Sequence, residues 1–430
     1  MVAPIDWIRG DMLGLDLPAH PQSLEQGGPD FLTRAFRAAG AIAADNAVTH
    51  ITEFRDCPGG STGKKLFLGV EYARDEPGLH RQLFVKFSRD FDSERRDAAR
   101  IQMELEVRFA LLSRDPNFPI AVAKCYFSDF HAETGTGILI TQRAVFGENG
   151  VEPHYGKCLD YLMPDQIGHY RAIIRALGRL AGTHKAGKLS SDVERYFPFE
   201  PEKLDVSARN AYSPEQIGRR VARYAEFAKT YAHLLPAQIR DEAFIAQLAD
   251  QAPRFQQMLP AVRKELMSHP DLIALCHWNA NIDNAWFWRD EDGAVECGLL
   301  DWGNVSQMNL AMALWGCLSA AETDLWNAHL DELLAIFVAE FESAGGPKLD
   351  VELLHLHLAL YIGEMGLAWM LDAPPLILSM VPDLAEVQDR TDPRLANRES
   401  ARNQLVIMSN FLNFWRGYDY GRVLEFLTTK

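Results

Sequence analysis

Hydrophobic residues in the first third of the chain recur mostly at every second position, the period of a strand with one face buried. Val48–Phe54 reads as a strand. Leu66–Tyr72 reads as its return, and the two form a hairpin across the glycine-rich run 57–63. Leu83–Phe87 is a third strand after the polar turn 75–78. Ser93 is placed to cap a long helix reaching Arg114, with Ile101, Leu105, Phe109 and Leu112 spaced by three and four. Ile120–Phe127 and Gly137–Thr141 read as two more strands. From Asp165 the period lengthens: Ile173, Leu177, Leu180 and His184 mark a helix, and further helical runs fill 213–266. Short strand-like pieces at 276–287 and 295–300 follow, and the remainder to Lys430 is almost all helical in pattern.

The order predicts an α+β chain in two lobes: a small antiparallel β-rich lobe at 1–141 and a large, mostly helical lobe at 142–430. No long linker separates them near 142–147, so they are expected to pack over a cleft. A length of 430 residues and 47% hydrophobic composition supply ample core and exclude wholesale disorder. Forty-three basic against 59 acidic residues leave a net charge of −16, which repels phosphate backbones and anionic membranes. A nucleic-acid or membrane-surface binder is therefore not expected, whereas a small-molecule ligand is.

The apolar stretch 353–381 carries His355, His357, Glu364, Asp372 and two prolines, and reads as a buried helix rather than a membrane span. His355 and His357, two apart on a helix, diverge and cannot chelate together. The start has an acid at Asp6 and no basic segment ahead of an apolar run, so no signal peptide is expected. Six scattered cysteines with no C-x-x-C pair suit buried thiols in a reducing cytoplasm.

Three segments carry candidate chemistry. The loop Pro58–Lys64 superficially matches a P-loop. It lacks the first glycine and the final Ser/Thr, however, and it leads into a strand, not a helix. A glycine loop between strands is instead a lid whose amides can approach phosphates. Lys86 sits mid-strand on the face opposite its apolar neighbours, and an inward lysine requires an anionic partner. Glu106 on the next helix is the expected partner, since Glu104 points about 200° away around the helix. The third segment runs from Leu275 to Phe287 through His277, Asn279, Asn281, Asp283 and Asn284, and is followed by Asp301 at the end of the next strand. Asn284 and Asp301 would offer a neutral oxygen and a carboxylate, the ligand type that hard divalent cations favour.

The order of glycine loop, strand lysine, helix glutamate, His/Asn loop and aspartate resembles the aminoglycoside phosphotransferase and choline kinase-like superfamily, including its ecdysteroid-kinase-like branch. His277 to Asn284 stands where that family has H-G-D-x-x-x-x-N. Leu300-Asp301-Trp302 matches its I-D-[WF], and the run ending at Thr183-His184 resembles its L-x-x-L-H helix. The resemblance spans roughly 45–320 and implies a bilobal protein-kinase-like fold using ATP and Mg²⁺. In that reading Lys86 neutralises the nucleotide phosphates and Glu106 holds it. Gly59, Gly60, Ser61, Thr62 and Gly63 cover the phosphates, and the hinge 141–144, including Gln142 and Ala144, meets adenine. Asn284 and Asp301 bind Mg²⁺, while His277, Asn279 and Asp283 belong to the catalytic loop. The implied activity is transfer of a phosphoryl group to the hydroxyl of a small molecule.

The pattern departs from the family at three places. Its catalytic aspartate is Asn279 here, and an amide can orient a hydroxyl but cannot take its proton. Asp283 is a possible substitute. The family's D-L-A, whose aspartate braces the catalytic loop, is Asn309-Leu-Ala311, and bulky Trp278 replaces a glycine. A nucleotide-binding pseudokinase with a scaffold or regulatory role and a nucleotidyl transferase are therefore the alternatives. The aromatics Trp278, Trp286, Trp288, Trp302 and Trp315 gather near these motifs in the sequence, and either pack or form a cation-binding box.

Overall fold

Alternation along the strand Gln82–Phe87 sends Leu83, Val85 and Phe87 to one face and Lys86 to the other. In the computed structural model, which describes residues 5–57, 63–94, 96–204 and 211–429, this strand is the middle of a five-stranded antiparallel sheet. The spatial order is Val48–Asp56, Lys65–Tyr72, Gln82–Phe87, Thr136–Gln142, Cys125–His131. Leu66, Leu68 and Val70 join Leu83, Val85, Ile138 and Ile140 in the core on one face. That face is covered by the helix Pro21–Ala38 through Leu24, Phe31, Leu32 and Phe36. The other face lies under the helix Arg96–Leu112, whose Met103, Val107 and Ala110 pack with Cys125, Phe130 and Leu139.

The fold is α+β, as the patterning implies. The chain divides into two compact units: 1–152 with 189–198 and 298–306, and 153–188 with 199–297 and 307–430. The division is not a single cut after residue 141. In the first unit, Gly298 and Leu299 pair in parallel with Ala121 and Val122, so a strand distant in sequence returns to it and brings Asp301 along.

Several boundaries differ from the periodicity. The helix after Ser93 is formed from Arg96 to Leu112, and Ile101 is exposed on it because the face toward the sheet is set by Met103, Glu106, Val107 and Ala110. The stretch 120–127 breaks into Ala121–Val122 and the start of Cys125–His131. The helix Pro21–Ala38 has no counterpart in the sequence reading. Gly27, Gly28 and Pro29 in its middle look like breakers, and the chain does bend at Gly28, with φ 52°.

In the second unit Asp165 caps the helix Gln166–Lys185 by accepting from the Gly168 N–H, and a capping box at Ser213 and Gln216 starts Pro214–Thr230. Gly182 lets the first of these helices lie against Thr323–Ser343, since a Cβ there would sit 2.2 Å from the Phe341 carbonyl oxygen. The apolar run 351–380 is long and apolar enough to cross a membrane, but it is interrupted at Trp369 and 72% of its apolar 18-residue window is buried within the protein.

Candidate active site

In the first unit the inward position of Lys86 places its ammonium under the helix Arg96–Leu112, where it is almost wholly buried. Glu106 Oε2 accepts from Lys86 Nζ, and Asp301 Oδ1 accepts from the same nitrogen at 3.0 Å. Glu104, the other acid of that helix turn, pairs instead with Arg108. Burial works against the Lys86 charge, but the carboxylates of Glu106 and Asp301 outweigh it and hold the ammonium above the usual lysine range. Asp301 differs from its partners in exposure: its side chain is 40% exposed, against 3% for Lys86 and 8% for Glu106. Its backbone is left-handed, at φ 58°, a strained conformation for a non-glycine residue. Trp302 anchors that turn by stacking on Phe109, with centroids 3.7 Å apart, and donating Nε1–H to the Leu299 carbonyl.

Of the phosphate-covering residues implied by the resemblance, Gly59, Gly60, Ser61 and Thr62 lie outside the described residues. Gly63 is described: a Cβ there would fall 1.9 Å from the Phe87 carbonyl oxygen, so only glycine permits this approach of loop to strand. At the hinge, Gln142 N–H donates to Lys124 O and Arg143 N–H to Gln82 O. Those two donors are consumed within the first unit. The Ala144 N–H makes no backbone hydrogen bond among the described residues.

The second unit holds the loop after the strand Ile273–His277. His184, at the end of the helix Gln166–Lys185, accepts from the Leu275 N–H at 3.1 Å and fixes that strand. Buried His277 accepts from the Asn279 N–H through Nδ1. The three amides of the loop are linked: Asn284 Nδ2 donates to the Asn279 carbonyl at 2.8 Å, and Asn281 Nδ2 to Asn279 Oδ1 at 2.8 Å. The Asn284 amide is thereby oriented with its oxygen at the opposite end, as a cation ligand requires. Asp283 points its Oδ1 into a buried environment without a hydrogen-bond partner among the described residues, and burial pushes its carboxyl above the usual range. Trp278 is tied down by donating Nε1–H to Tyr361 Oη, and Gly316 approaches so closely that a Cβ there would lie 1.5 Å from the Trp278 carbonyl oxygen.

Asn309 caps the helix Leu310–Leu318 by accepting from the Ala311 N–H, and its Nδ2 donates to Leu266 O and to His357 Nδ1 at 2.8 Å. It braces helices of the second unit. Ligating atoms of Glu265, His269 and His357 lie within 4.8 Å of one another, a spacing that could hold a metal. The capping bond fixes the Asn309 amide, so His357 Nδ1 is an acceptor and Nε2 carries the proton. The neutral ring then has no lone pair for an ion. The tryptophans are divided among packing contacts: Trp302 on Phe109, Trp315 with Trp326 at 6.0 Å, Trp286 with Trp288 at 6.3 Å.

One group near the loop had no signal in the sequence. Lys157 Nζ donates to Asn279 Oδ1 at 3.4 Å across 122 residues of chain, and His154, from the same segment, contacts the Asp283 carbonyl at 3.1 Å. Cys158 next to it has φ 58°, and buried Arg402 donates to the Lys157 carbonyl at 2.9 Å, so this segment is held in a strained turn.

No family model matches the chain, and no curated protein matches its sequence. Solved structures similar to it are small-molecule kinases and phosphotransferases. A microcompartment-associated aminopropanol kinase is 13% identical with a TM-score of 0.40, over 87% of this chain and 95% of that one. A choline kinase from Cryptosporidium parvum Iowa II is 14% identical with a TM-score of 0.39, over 86% and 94%. A spectinomycin phosphotransferase, solved with ADP and spectinomycin, is 13% identical with a TM-score of 0.41, over 85% and 92%.

Proposed function

We propose that this chain is an ATP-dependent phosphotransferase of the aminoglycoside phosphotransferase and choline kinase-like type, acting on a small molecule. The observation that carries this reading is the lysine buried mid-strand in the first unit, held between Glu106 and the half-exposed Asp301. A buried ammonium fixed by one enclosed and one accessible carboxylate is suited to phosphate oxygens that arrive with their own divalent cation. Lys86 neutralises phosphate charge and Glu106 fixes the lysine rotamer, while Asp301 and Asn284 each offer an oxygen of the type Mg²⁺ takes. When bound, Mg²⁺ supplies charge neutralisation of the transferred phosphoryl group. Glycines 59, 60 and 63 with Ser61 and Thr62 cover the phosphates, and Ala144 offers the adenine-side donor beyond Gln142. His277 and Asp283 shape the loop around Asn279. Five buried cysteines, Cys125, Cys158, Cys276, Cys297 and Cys317, suit a reducing cytoplasmic setting.

Thermal unfolding of the full chain tests the reading. Mg²⁺·ATP raises the melting temperature, ATP with EDTA raises it less, and Asp301→Asn removes the Mg²⁺-dependent part. Asparagine tolerates the left-handed backbone there, so folding is preserved. Absence of any shift at saturating Mg²⁺·ATP would overturn both the phosphotransferase and the pseudokinase assignments. Binding without turnover of any acceptor would favour the pseudokinase.

A further inference from the structure

At residue 279 the loop presents a hydrogen-bond donor next to a cation. The Asn279 oxygen faces Lys157 Nζ at 3.4 Å and Asn281 Nδ2 at 2.8 Å. Lysine can only donate, so it settles which end of the amide is oxygen. The Asn279 NH₂ is therefore the other end, and it has no partner among the described residues. A carboxylate at this position would accept a proton from an alcohol. The amide found here does the reverse and donates N–H. Lys157 is partly exposed, and its position is set by the strained turn at Cys158 and by the Arg402 bond to its own carbonyl. The charged or titratable neighbours of the loop are His154, at the Asp283 carbonyl, Asp283 itself, whose Oδ1 is turned into the interior, and the acids Asp160 and Glu399, which interact electrostatically with Asp283.

We infer that the acceptor is an oxyanion, a carboxylate or a phosphate ester, received by the Asn279 N–H donors and the Lys157 ammonium, and not a neutral alcohol. The inference rests on the phosphotransferase reading and replaces the hydroxyl acceptor that the family resemblance implies. It also accounts for the missing base. A carboxylate or phosphate oxygen is largely ionised at neutral pH, so no proton has to be removed. An oxygen lone pair of the acceptor forms the new bond to the γ-phosphorus of ATP. The bond from that phosphorus to the β,γ-bridging oxygen breaks, and ADP leaves with the electron pair. Charge neutralisation replaces base catalysis. The amide at residue 279 and the lysine beside it thus act together in setting specificity.

The test follows the accessibility of Lys157 in the full chain with Mg²⁺·ADP. A brief pulse of an amine-reactive succinimidyl ester is followed by peptide mass spectrometry, and acetate, methyl phosphate, ethylene glycol and sodium chloride are compared at equal ionic strength. The expected result is at least a threefold slowing at Lys157 by acetate or by methyl phosphate relative to chloride, and none by ethylene glycol. Slowing by acetate alone assigns a carboxylate acceptor, and slowing by methyl phosphate alone a phosphate ester. Asn279→Asp, nearly isosteric, abolishes the protection by placing a carboxylate against the anion. Equal labelling in chloride and both anions, or protection that survives Asn279→Asp, would overturn the inference, and the wild-type comparison does so without any variant. Failure of Mg²⁺·ATP to bind would sink the phosphotransferase reading separately, because Lys157 protection reads the oxyanion site without turnover.

Discussion

Burial raises the carboxyls of Glu106, Asp160 and Asp283 alike, but of these three Glu106 alone has a buried ammonium hydrogen-bonded to it. In the first unit one buried ammonium keeps two carboxylates, Glu106 and Asp301, at hydrogen-bond distance. In the second, the loop carries amides at 279, 281 and 284, and the neighbouring acids are pushed toward their neutral forms. Asp160, fully buried with Tyr170 donating to it at 2.6 Å, is pushed up to about 7 by burial, and Asp283 is raised for the same reason. The difference teaches that the group facing a buried acid, a fixed ammonium or a neutral hydroxyl, decides what its removal costs.

Breaking the charged region produces the largest effect. Lys86→Met leaves Glu106 buried without its cation and costs about 3–5 kcal/mol in denaturant unfolding. Adding Glu106→Gln recovers much of that stability, while nucleotide binding stays lost. A double variant that binds Mg²⁺·ATP normally would remove Lys86 from the site.

Asp160→Asn measures the other case. The folded-state pKa of Asp160 lies above its unfolded value, so the wild type loses stability as pH rises from about 4 to about 7 and is level beyond. The variant imitates the protonated acid and lacks this slope. It gains roughly 2–4 kcal/mol at pH 8 and nothing at pH 4. An equal gain at both pH values would mean the carboxyl is not held neutral.

Gly316→Ala drives a methyl into the Trp278 carbonyl and costs about 1–3 kcal/mol, with altered fluorescence of the Trp278 environment. The smallest effect is expected at the amide cluster. Asn279→Ala gives up two hydrogen bonds to a partly exposed group and costs about 1 kcal/mol by the same denaturant measurement. A cost near that of Lys86→Met would erase the distinction between the two regions.

Much of this was legible along the chain. The strand Leu83–Phe87 and the choice of Glu106 over Glu104 follow from periods of two and 3.6, which are local and survive in any packing of the same elements. The oxygen-rich composition of 277–284 and the substitution at Asn279 are likewise plain in the residues. Local pattern misled where tertiary contacts overrode it: glycines and a proline inside Pro21–Ala38 became a bend in a helix that has a sheet to cover, and Ile101 stayed exposed because Glu106 had to face inward.

The sequence by itself thus determined the element types, the inward lysine and the amide at residue 279. Only the tertiary structure decided that Asp301 meets Lys86 across 215 positions and that Lys157 meets Asn279 across 122. The physical reason is that periodicity specifies which face of an element a side chain occupies, but not which distant segment arrives there. The direction of an amide is not encoded in its own residue at all. It is chosen by the donors packed around it, and here by a lysine from another part of the chain.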